Sequence, residues 1–252
     1  MAFSLSGAVL SRSVLLLACF ALLAAPARAA PLAASDEPPF VPFYKQLAVK
    51  ILRGNTEGTR FIGSGFTWVV QGRAFVVTNF HVAQLGLGGD PAPGGLYVGF
   101  AASPQWWPAR HMLGVSEADL AVIETEVVAP VAENPYKLGA AGLGDVVYSI
   151  SYDQEAFQQA APVVYKGSVV GLTKVHYPTS VLAIMPPYPP DAVFAYVIEG
   201  SDCIWGASGG MLLNARGELI AYNTGTIGNG LCIAVGIDEV TRALARWPRV
   251  TQ

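Results

Sequence analysis

The chain is 252 residues long, which fits one large domain or two small fused ones. Because 52% of its residues are hydrophobic and 13% are charged, it can bury a substantial core, which excludes intrinsic disorder as a description of the whole chain. The formal net charge is −3, and Lys and Arg are scattered singly, so the charge pattern gives no reason to expect nucleic acid or an anionic membrane as a partner.

The N-terminus has the pattern of an export signal. Arg12 precedes an apolar run from Val14 to Ala25, and the small residues that follow suit cleavage near Ala29 or Ala30. We therefore expect residues 1–30 to be a cleaved secretory signal and the mature chain to be periplasmic or secreted. A retained anchor is the weaker interpretation, since a span needs ~20 apolar residues. Lipidation at Cys19, within Leu16-Leu17-Ala18-Cys19, is a minor alternative, although the apolar run continues past it.

Beyond a Pro-rich lead-in, short β-branched and aromatic runs alternate with Gly, Pro and Asn turns. That pattern is typical of an all-β sandwich or barrel. The predicted strands are Leu47–Leu52, Gly58–Val70, Arg73–Thr78, Leu96–Phe100, Leu120–Glu126, Asp145–Ser151, Val163–Val175, Val193–Ile198, Gly209–Leu213, Glu218–Thr224 and Ile233–Gly236.

Three further segments complete this prediction. Residues 133–142 are expected to link two β-units of similar size, and residues 186–190, which are Pro-rich, are expected to form an extended surface loop. At the C-terminus, Asp238 is expected to cap a helix from Glu239 to Trp247 that Pro248 stops.

The first candidate for chemistry is Ser208, within Gly206-Ala207-Ser208-Gly209-Gly210. Glycines lack Cβ, so such a loop can turn sharply and let a substrate carbonyl approach closely. The amide hydrogens of Gly206 and Ser208 can then stabilise the oxyanion that forms when the hydroxyl attacks. Ser208 is the predicted nucleophile, although a Gly-Ser turn alone is common.

His81 and Asp119 are the predicted partners of this serine. His81 lies within the segment Val76–Ala83, at the end of a predicted buried strand, where its imidazole can act as general base. Asp119 precedes the apolar run Leu120–Ile123, where a buried carboxylate can orient the imidazole. Taken alone, such a histidine is more often a core residue and such an aspartate a turn residue. His111 and His176 lack the strand-end setting and rank below His81.

The order of these three residues along the chain distinguishes the known folds that carry the same catalytic chemistry. An α/β-hydrolase needs its histidine after the serine, and none follows Ser208. The subtilisin order needs the acid before the histidine on an alternating α/β chain, which this sequence lacks. The order His81, Asp119, Ser208 remains, and it is that of the double β-barrel.

The sequence resembles the trypsin-like serine proteases, and most of all the bacterial DegP/HtrA type of protease domain, over most of residues 58–240. The motifs that carry the resemblance are Gly63-Ser64-Gly65-Phe66, Thr78-Asn79-Phe80-His81-Val82, Asp119-Leu120-Ala121-Val122, Gly144-Asp145, Gly167-Ser168-Val169-Val170-Gly171, Gly206-Ala207-Ser208-Gly209-Gly210, Leu213-Asn214, Gly217-Glu218-Leu219-Ile220 and Asn223-Thr224.

This resemblance implies an all-β fold of two six-stranded antiparallel β-barrels with a short C-terminal helix. The protease domain would span residues 40–252, with barrels at about 44–132 and 143–237 and a helix at 239–247. It implies hydrolysis of protein or peptide bonds without a cofactor or metal. A non-catalytic relative that only binds or scaffolds is the alternative, although the complete set of three side chains argues against it.

Two departures from the family pattern matter. Ala207 stands where the animal digestive members carry an aspartate that pairs with a freed N-terminus, so we expect a domain active without that switch. The chain ends shortly after the predicted helix, so no PDZ-like domain is expected to follow.

Cys203 and Cys232 are the two cysteines of the expected mature chain, and an oxidising compartment favours a disulfide bridge between them. Two buried free thiols are the alternative, and metal binding is less expected because neither cysteine has a second ligand at suitable spacing. The family resemblance implies that such a bridge ties together the two walls of the specificity pocket.

The residues expected to contact substrate are Asp202, Asn223, Thr224, Gly225 and Ile227. Asp202 stands six residues before Ser208, where trypsins place the acid that binds a substrate Lys or Arg. Cys203, however, is offset by one residue from the usual half-cystine. We therefore favour a small or apolar pocket shaped by Thr224 and Ile227.

Overall fold

The computed structural model describes most of the chain after the predicted signal. The described residues are 29–55, 58–84, 95–100, 103, 105–126, 133–153, 161–177, 191–201, 206–227 and 230–246. Their architecture is two closed antiparallel β-barrels, each of six strands, followed by a short C-terminal helix. The predicted fold class is therefore confirmed.

The first barrel closes in the order β1-β2-β3-β6-β5-β4. Its strands are β1 Ala48–Asn55, β2 Gly58–Val70, β3 Arg73–Asn79, β4 Gly95–Phe100, β5 Trp106–Val115 and β6 Leu120–Thr125. The second barrel closes in the order β10-β11-β12-β9-β8-β7. Its strands are β7 Val146–Ser151, β8 Val163–Val175, β9 Val193–Glu199, β10 Met211–Asn214, β11 Leu219–Ile227 and β12 Leu231–Gly236.

Helical segments in the described part of the chain are short. The α-helices are α1 Val41–Leu47, α2 Phe80–Gln84 and α3 Asp238–Ala245, and the 3-10 turns are Ala34–Asp36 and Ser116–Ala118. None of the described helices is long and apolar enough to cross a membrane.

The two barrels share an apolar core. Buried side chains from both, such as Phe66, Leu120, Ile150 and Tyr222, belong to one contiguous cluster. Burial of these side chains removes apolar surface from water. This hydrophobic effect is the main force that stabilises the junction between the barrels. This junction is also where the predicted catalytic residues lie.

An aromatic stack joins α1 to this core. The ring of Tyr136, in the segment between the barrels, lies parallel to the rings of Tyr44 and Trp68, at centroid distances of 5.8 and 5.5 Å. The hydroxyl of Tyr44 donates a 2.7 Å hydrogen bond to the carbonyl of Gly217 in the second barrel. The Pro-rich lead-in therefore continues into a helix that connects both barrels, which the sequence analysis did not predict.

Most strand predictions agree with the structure to within two residues, but β5 was missed. Residues Trp106–Val115 contain Pro108 and Arg110 and show no alternation of apolar and polar residues. They form a strand because they pair with β4 on one side and β6 on the other, with a bulge between His111 and Leu113. Such pairing is a tertiary effect that local pattern does not reveal.

The prediction that Asp238 caps the last helix is wrong. The N-cap is Ile237, which makes no side-chain capping hydrogen bond. Asp238 lies within the first turn of α3, where its carboxylate accepts a 2.9 Å hydrogen bond from Arg242 one turn later. Acidic residues in a first turn interact favourably with the helix dipole, which is why the position suits an aspartate without making it the cap. Trp247 and Pro248 lie outside the described residues.

Candidate active site

His81 and Asp119 form a two-point contact in the first barrel. His81 is the second residue of α2, directly after β3, and Asp119 lies between the 3-10 turn Ser116–Ala118 and β6. The Nδ1 atom of His81 lies 2.7 Å from Oδ2 of Asp119, and the amide of His81 donates to Oδ1 at 2.9 Å. The carboxylate thereby fixes both the imidazole ring and the backbone that carries it.

The backbone of Asp119 is held in an unusual conformation. Its φ of 48° lies in the left-handed region, which is uncommon for a residue other than glycine and recurs at functional sites. Its carbonyl oxygen accepts hydrogen bonds from the amide of Phe80 at 3.0 Å and from the side chain of Asn79 at 3.1 Å. These bonds join Asp119 to the end of β3 and therefore to His81.

The side chains of Asp119 and His81 differ in how far they are buried. The side chain of Asp119 is 1% exposed, whereas that of His81 is 31% exposed. Burial raises the pKa of the Asp119 carboxyl above its ordinary value, and the hydrogen bonds and charge of His81 partly oppose that rise. Asp119 therefore lies inside the fold, whereas part of the His81 side chain remains accessible.

The nucleophile loop, residues 206–210, is fixed to the second barrel on one side. Gly206 and Gly209 have φ values of 103° and 85°, which glycine adopts without strain. The amide of Gly210 donates to the carbonyl of Ala207 at 3.0 Å and forms a tight turn around Ser208. The amide of Gly209 donates to the Asn223 carbonyl, and the Asn223 amide donates to the Gly210 carbonyl, at 2.8 and 2.9 Å.

This loop carries the predicted oxyanion donors, the amides of Gly206 and Ser208. Within the described part of the chain, the amides of Gly206 and Ser208 donate to no other group. Ser208 itself is only half-buried, between the buried residues Ala207 and Gly209. Backbone amides beside an accessible hydroxyl are the donors that oxyanion stabilisation requires.

Gly63 places the loop next to the histidine. A side chain at this position would lie 2.7 Å from the side chain of Val82, the neighbour of His81, and 3.3 Å from the carbonyl of Ser208. Gly63 is thus enclosed between the segment that carries His81 and the loop that carries Ser208, and the absence of its side chain lets the two approach. The structure therefore brings His81, Asp119 and the Ser208 loop to one junction.

Two tyrosines that the sequence analysis missed support this junction. The hydroxyl of Tyr222, fully buried in β11, donates to the carbonyl of Ala118 at 2.7 Å. The ring of Tyr177 lies 6.1 Å from the His81 ring, and its amide donates to the carbonyl of Glu117 at 3.2 Å. Burial and the nearby Asp119 charge raise the pKa of Tyr177 to about 12, so its ring stays neutral beside the imidazole. Only contacts between distant segments identify these residues.

The two competing histidines are placed elsewhere in the fold. His176 lies just after β8, where its Nδ1 is 3.3 Å from a carboxylate oxygen of Asp191. The backbone of His111 pairs with Ile123 inside the first barrel.

The predicted substrate-contacting residues differ in how they are placed. Asn223 and Thr224 are 1% and 4% exposed, and the side chain of Asn223 donates to the Ser149 hydroxyl at 2.7 Å. Gly225 and Ile227 are half-buried towards the end of β11. Asp202 and Cys203 lie outside the described residues.

Cys232 is fully buried in β12, where its Sγ lies 3.2 Å from the carbonyl oxygen of Ser201. The described residues hold no group of three or more His, Cys, Asp or Glu side chains suited to a metal ion.

A family model described as trypsin-like peptidase domain matches residues 63–221, a range that contains His81, Asp119 and Ser208. The chain belongs to this family. It is therefore a serine peptidase of the trypsin-like type, and the resemblance seen in the motifs is confirmed at family level. A search of curated protein sequences finds no significant match.

Solved structures agree with the fold. A protease of M. tuberculosis in its active form is similar with a TM-score of 0.64 and 20% identity, covering 86% of this chain and 88% of that one. A serine endoprotease from Yersinia pestis has a TM-score of 0.60 at 18% identity, covering 86% and 67%. The MamO protease domain from Magnetospirillum magneticum has a TM-score of 0.58 at 16% identity, covering 79% and 96%.

Proposed function

We propose that this peptidase is an endopeptidase that cleaves proteins through an acyl-enzyme intermediate, with Ser208 as nucleophile, His81 as general base and Asp119 as the residue that orients His81. One observation carries the proposal. The buried carboxylate of Asp119 holds the imidazole of His81 at two points, beside a glycine loop that presents Ser208.

Acylation begins when the Ser208 hydroxyl attacks the scissile carbonyl carbon. Nε2 of His81 accepts the hydroxyl proton, and the Asp119 carboxylate stabilises the imidazolium that forms. The imidazolium then donates this proton to the leaving amine as the C–N bond breaks. Water attacks the resulting ester while His81 accepts a proton from it. The bond between the acyl carbon and Ser208 Oγ then breaks, His81 returns the proton to Oγ, and the acyl group leaves as a carboxylic acid.

The amides of Gly206 and Ser208 stabilise the negative charge that develops on the substrate carbonyl oxygen. They suit this role because they donate to no other group among the described residues. Preorganised donors of this kind need no rearrangement when the charge forms.

The end of β11 is the proposed binding site for the substrate main chain. Residues 225–227 pair with β12 on one side, whereas the pairing of β10 with β11 stops at Tyr222. The other edge of this segment is therefore unpaired within the described strands, and it begins next to the nucleophile loop. An extended peptide can add to such an edge as a further strand.

Side-chain preference is proposed to be for small or apolar residues. Ile227 is an apolar, half-buried side chain on the same segment of β11, and Thr224 precedes it as a buried small residue. A peptide library with variable residues on the acyl side of the cleaved bond tests this preference. Selection of Lys or Arg instead would assign the pocket base to Asp202.

Export and a disulfide bridge are parts of the same proposal. The apolar N-terminal run and the small residues before Ala30 support export to the periplasm or beyond. The position of Cys232 Sγ, 3.2 Å from the carbonyl of Ser201, supports a bridge to Cys203 two residues later. N-terminal sequencing of the exported protein tests the cleavage site. The intact mass before and after reduction tests the bridge.

A fluorophosphonate probe and casein test the catalytic assignment. The mature wild-type protein is expected to bind the probe covalently and to cleave casein, whereas Ser208→Ala is expected to do neither. The control is Ser35→Ala, which removes an exposed serine outside both barrels and should behave as wild type. Labelling that persists in Ser208→Ala would refute the assignment, and so would a folded wild-type protein that neither labels nor cleaves.

A further inference from the structure

We propose that Ser64 is a positioning residue for catalysis, a buried hydroxyl of the first barrel that holds the nucleophile loop of the second barrel in its active arrangement. This inference rests on the proposed function, because it assigns a role relative to Ser208 and its oxyanion donors. Ser64 lies in β2 and is 1% exposed, so it contacts no substrate directly.

The side chain of Ser64 uses both its donor and its acceptor capacity across the barrel junction. Its Oγ donates to the carbonyl oxygen of Gly206 at 2.6 Å and accepts from the amide of Tyr152 at 2.8 Å. The carbonyl of Tyr152 lies 3.2 Å from the same Oγ. One hydroxyl of the first barrel therefore fixes two separate segments of the second barrel.

The backbone of Ser64 fixes the other side of the loop. Its amide donates to the carbonyl of Ser208 at 2.8 Å. Ser64 thus binds the carbonyl groups of residues 206 and 208, on both sides of the turn that carries the nucleophile. The amides of the same two residues are the proposed oxyanion donors.

Ser64 is also connected to the segment that carries the general base. The hydroxyl of Thr78, three residues before His81 in the chain, donates to the carbonyl of Ser64 at 2.6 Å. Gly209 packs directly on this contact, because a side chain there would overlap the Ser64 carbonyl and lie 2.5 Å from Thr78 Oγ1. A continuous set of contacts therefore sets Ser208 relative to His81.

Gly206 is the reason such a contact is needed. With a φ of 103° and no Cβ, its backbone has many accessible conformations, so the directions of its peptide groups are weakly determined by the local chain. The Ser64 hydroxyl binds its carbonyl and restricts the rotation that would turn the neighbouring amides away from the oxyanion. Loss of one oxyanion donor lowers kcat by about 10²–10³-fold, so a partial loss of orientation is measurable.

The test compares Ser64→Ala with Thr67→Val in the mature protein. Both variants remove one hydroxyl from a residue of β2 that is 1% exposed, but the Thr67 hydroxyl has no hydrogen-bond partner among the described residues. The measurements are the rate constant for labelling by a fluorophosphonate, and kcat and KM for a p-nitrophenyl ester, at a temperature where far-UV circular dichroism shows each variant folded.

Ser64→Ala is expected to label and turn over at least about tenfold more slowly with little change in KM, because an oxyanion contact acts in the transition state. Thr67→Val is expected to keep the wild-type rates. A folded Ser64→Ala protein with wild-type rates would overturn the inference, and so would an equal loss in both variants.

Thr78→Val provides a second test if Ser64→Ala does not fold. It removes the hydroxyl that holds the Ser64 carbonyl and is expected to lower kcat in the same direction, whereas unchanged kcat in the folded variant would overturn the inference. Failure of the proposed function is distinguishable, because the wild-type protein would then not label at Ser208 at all.

Discussion

The hydroxyl of Tyr222, in the second barrel, donates a 2.7 Å hydrogen bond to the carbonyl oxygen of Ala118, the residue before Asp119 in the first barrel. Tyr222 is fully buried, and burial together with the negative charges of Asp119, Glu239 and Asp238 raises the pKa of its hydroxyl well above the ordinary value. The group therefore remains a neutral donor across the usual pH range. Ser64 and Tyr222 both make contacts across the junction of the barrels, Ser64 with the loop that carries Ser208 and Tyr222 with the residue before Asp119.

Replacing Tyr222 by Phe tests its hydrogen bond to Ala118, the residue before Asp119. The substitution leaves the Ala118 carbonyl buried without its donor, so we expect the free energy of unfolding to fall by roughly 1–3 kcal/mol. Because Ala118 precedes Asp119, we also expect a lower kcat. Urea unfolding and ester turnover measure the two effects.

Tyr136→Phe is the matched control for this substitution. Tyr136 is also buried in the shared core, but its hydroxyl has no hydrogen-bond partner among the described residues. Removing it should leave the free energy of unfolding unchanged or slightly higher, since an unpaired buried polar group costs stability. Equal losses in the two variants would mean that the hydrogen bond from Tyr222 to Ala118 contributes nothing beyond the presence of a buried hydroxyl.

Asp119→Asn tests the orientation of the imidazole. An amide nitrogen facing His81 would donate where the carboxylate accepts, so Nδ1 would lose the acceptor that sets its tautomer. We expect kcat to fall by about 10⁴-fold with KM little changed. Glu117→Gln, which neutralises an acid two residues earlier, should retain the wild-type rate. A loss of less than tenfold in Asp119→Asn would exclude the proposed role.

The three catalytic candidates were predictable because each belongs to a local motif. His81, Asp119 and Ser208 stand at a strand end, at a strand start and in a glycine loop, and their order along the chain selects one fold. The residues that hold these three candidates in place were not predictable from local motifs. Tyr222 and Ala118 are 104 positions apart, and Ser64 and Gly206 are 142 apart. Such contacts follow from how the barrels pack, which local sequence does not encode.

The elements that the sequence analysis missed have the same origin. Helix α1 starts after Pro38 and Pro39 and has Pro42 in its first turn, so its composition indicated an extended lead-in. Proline is tolerated in a first turn because the amides there have no intrahelical partner, and α1 is then stabilised by the contacts of Tyr44.

Glu218 provides a prediction for the pH dependence of stability. Arg216, Lys137 and Asn214 donate hydrogen bonds to its carboxylate, and they lower its pKa from the ordinary 4.5 to about 2. A lowered pKa in the folded protein stabilises it above pH 4.5, and this contribution is lost as the pH falls towards 2. The free energy of unfolding should therefore decrease over this interval, and it should decrease less in Glu218→Gln.

Glu199→Gln is the control for that pH series, because it removes an exposed carboxylate from the same barrel. The melting temperature measured at several pH values between 2 and 5 gives the comparison. Parallel profiles for wild type and Glu218→Gln would show that the Glu218 network does not contribute to acid stability.

Gly209→Ala and Gly72→Ala separate backbone conformation from close approach. Both glycines have a positive φ, 85° and 73°, so alanine brings a similar conformational cost of roughly 1–2 kcal/mol at each. Only at Gly209 would the new methyl group meet the Ser64 carbonyl and the Thr78 hydroxyl, whereas nothing lies within 4 Å at Gly72. We therefore expect Gly72→Ala to lower the melting temperature by a few degrees and to keep full activity. Gly209→Ala is expected to displace the nucleophile loop from the first barrel and to abolish fluorophosphonate labelling. Labelling of folded Gly209→Ala at the rate of Gly72→Ala would show that the close packing of the loop against Ser64 is not required for activity.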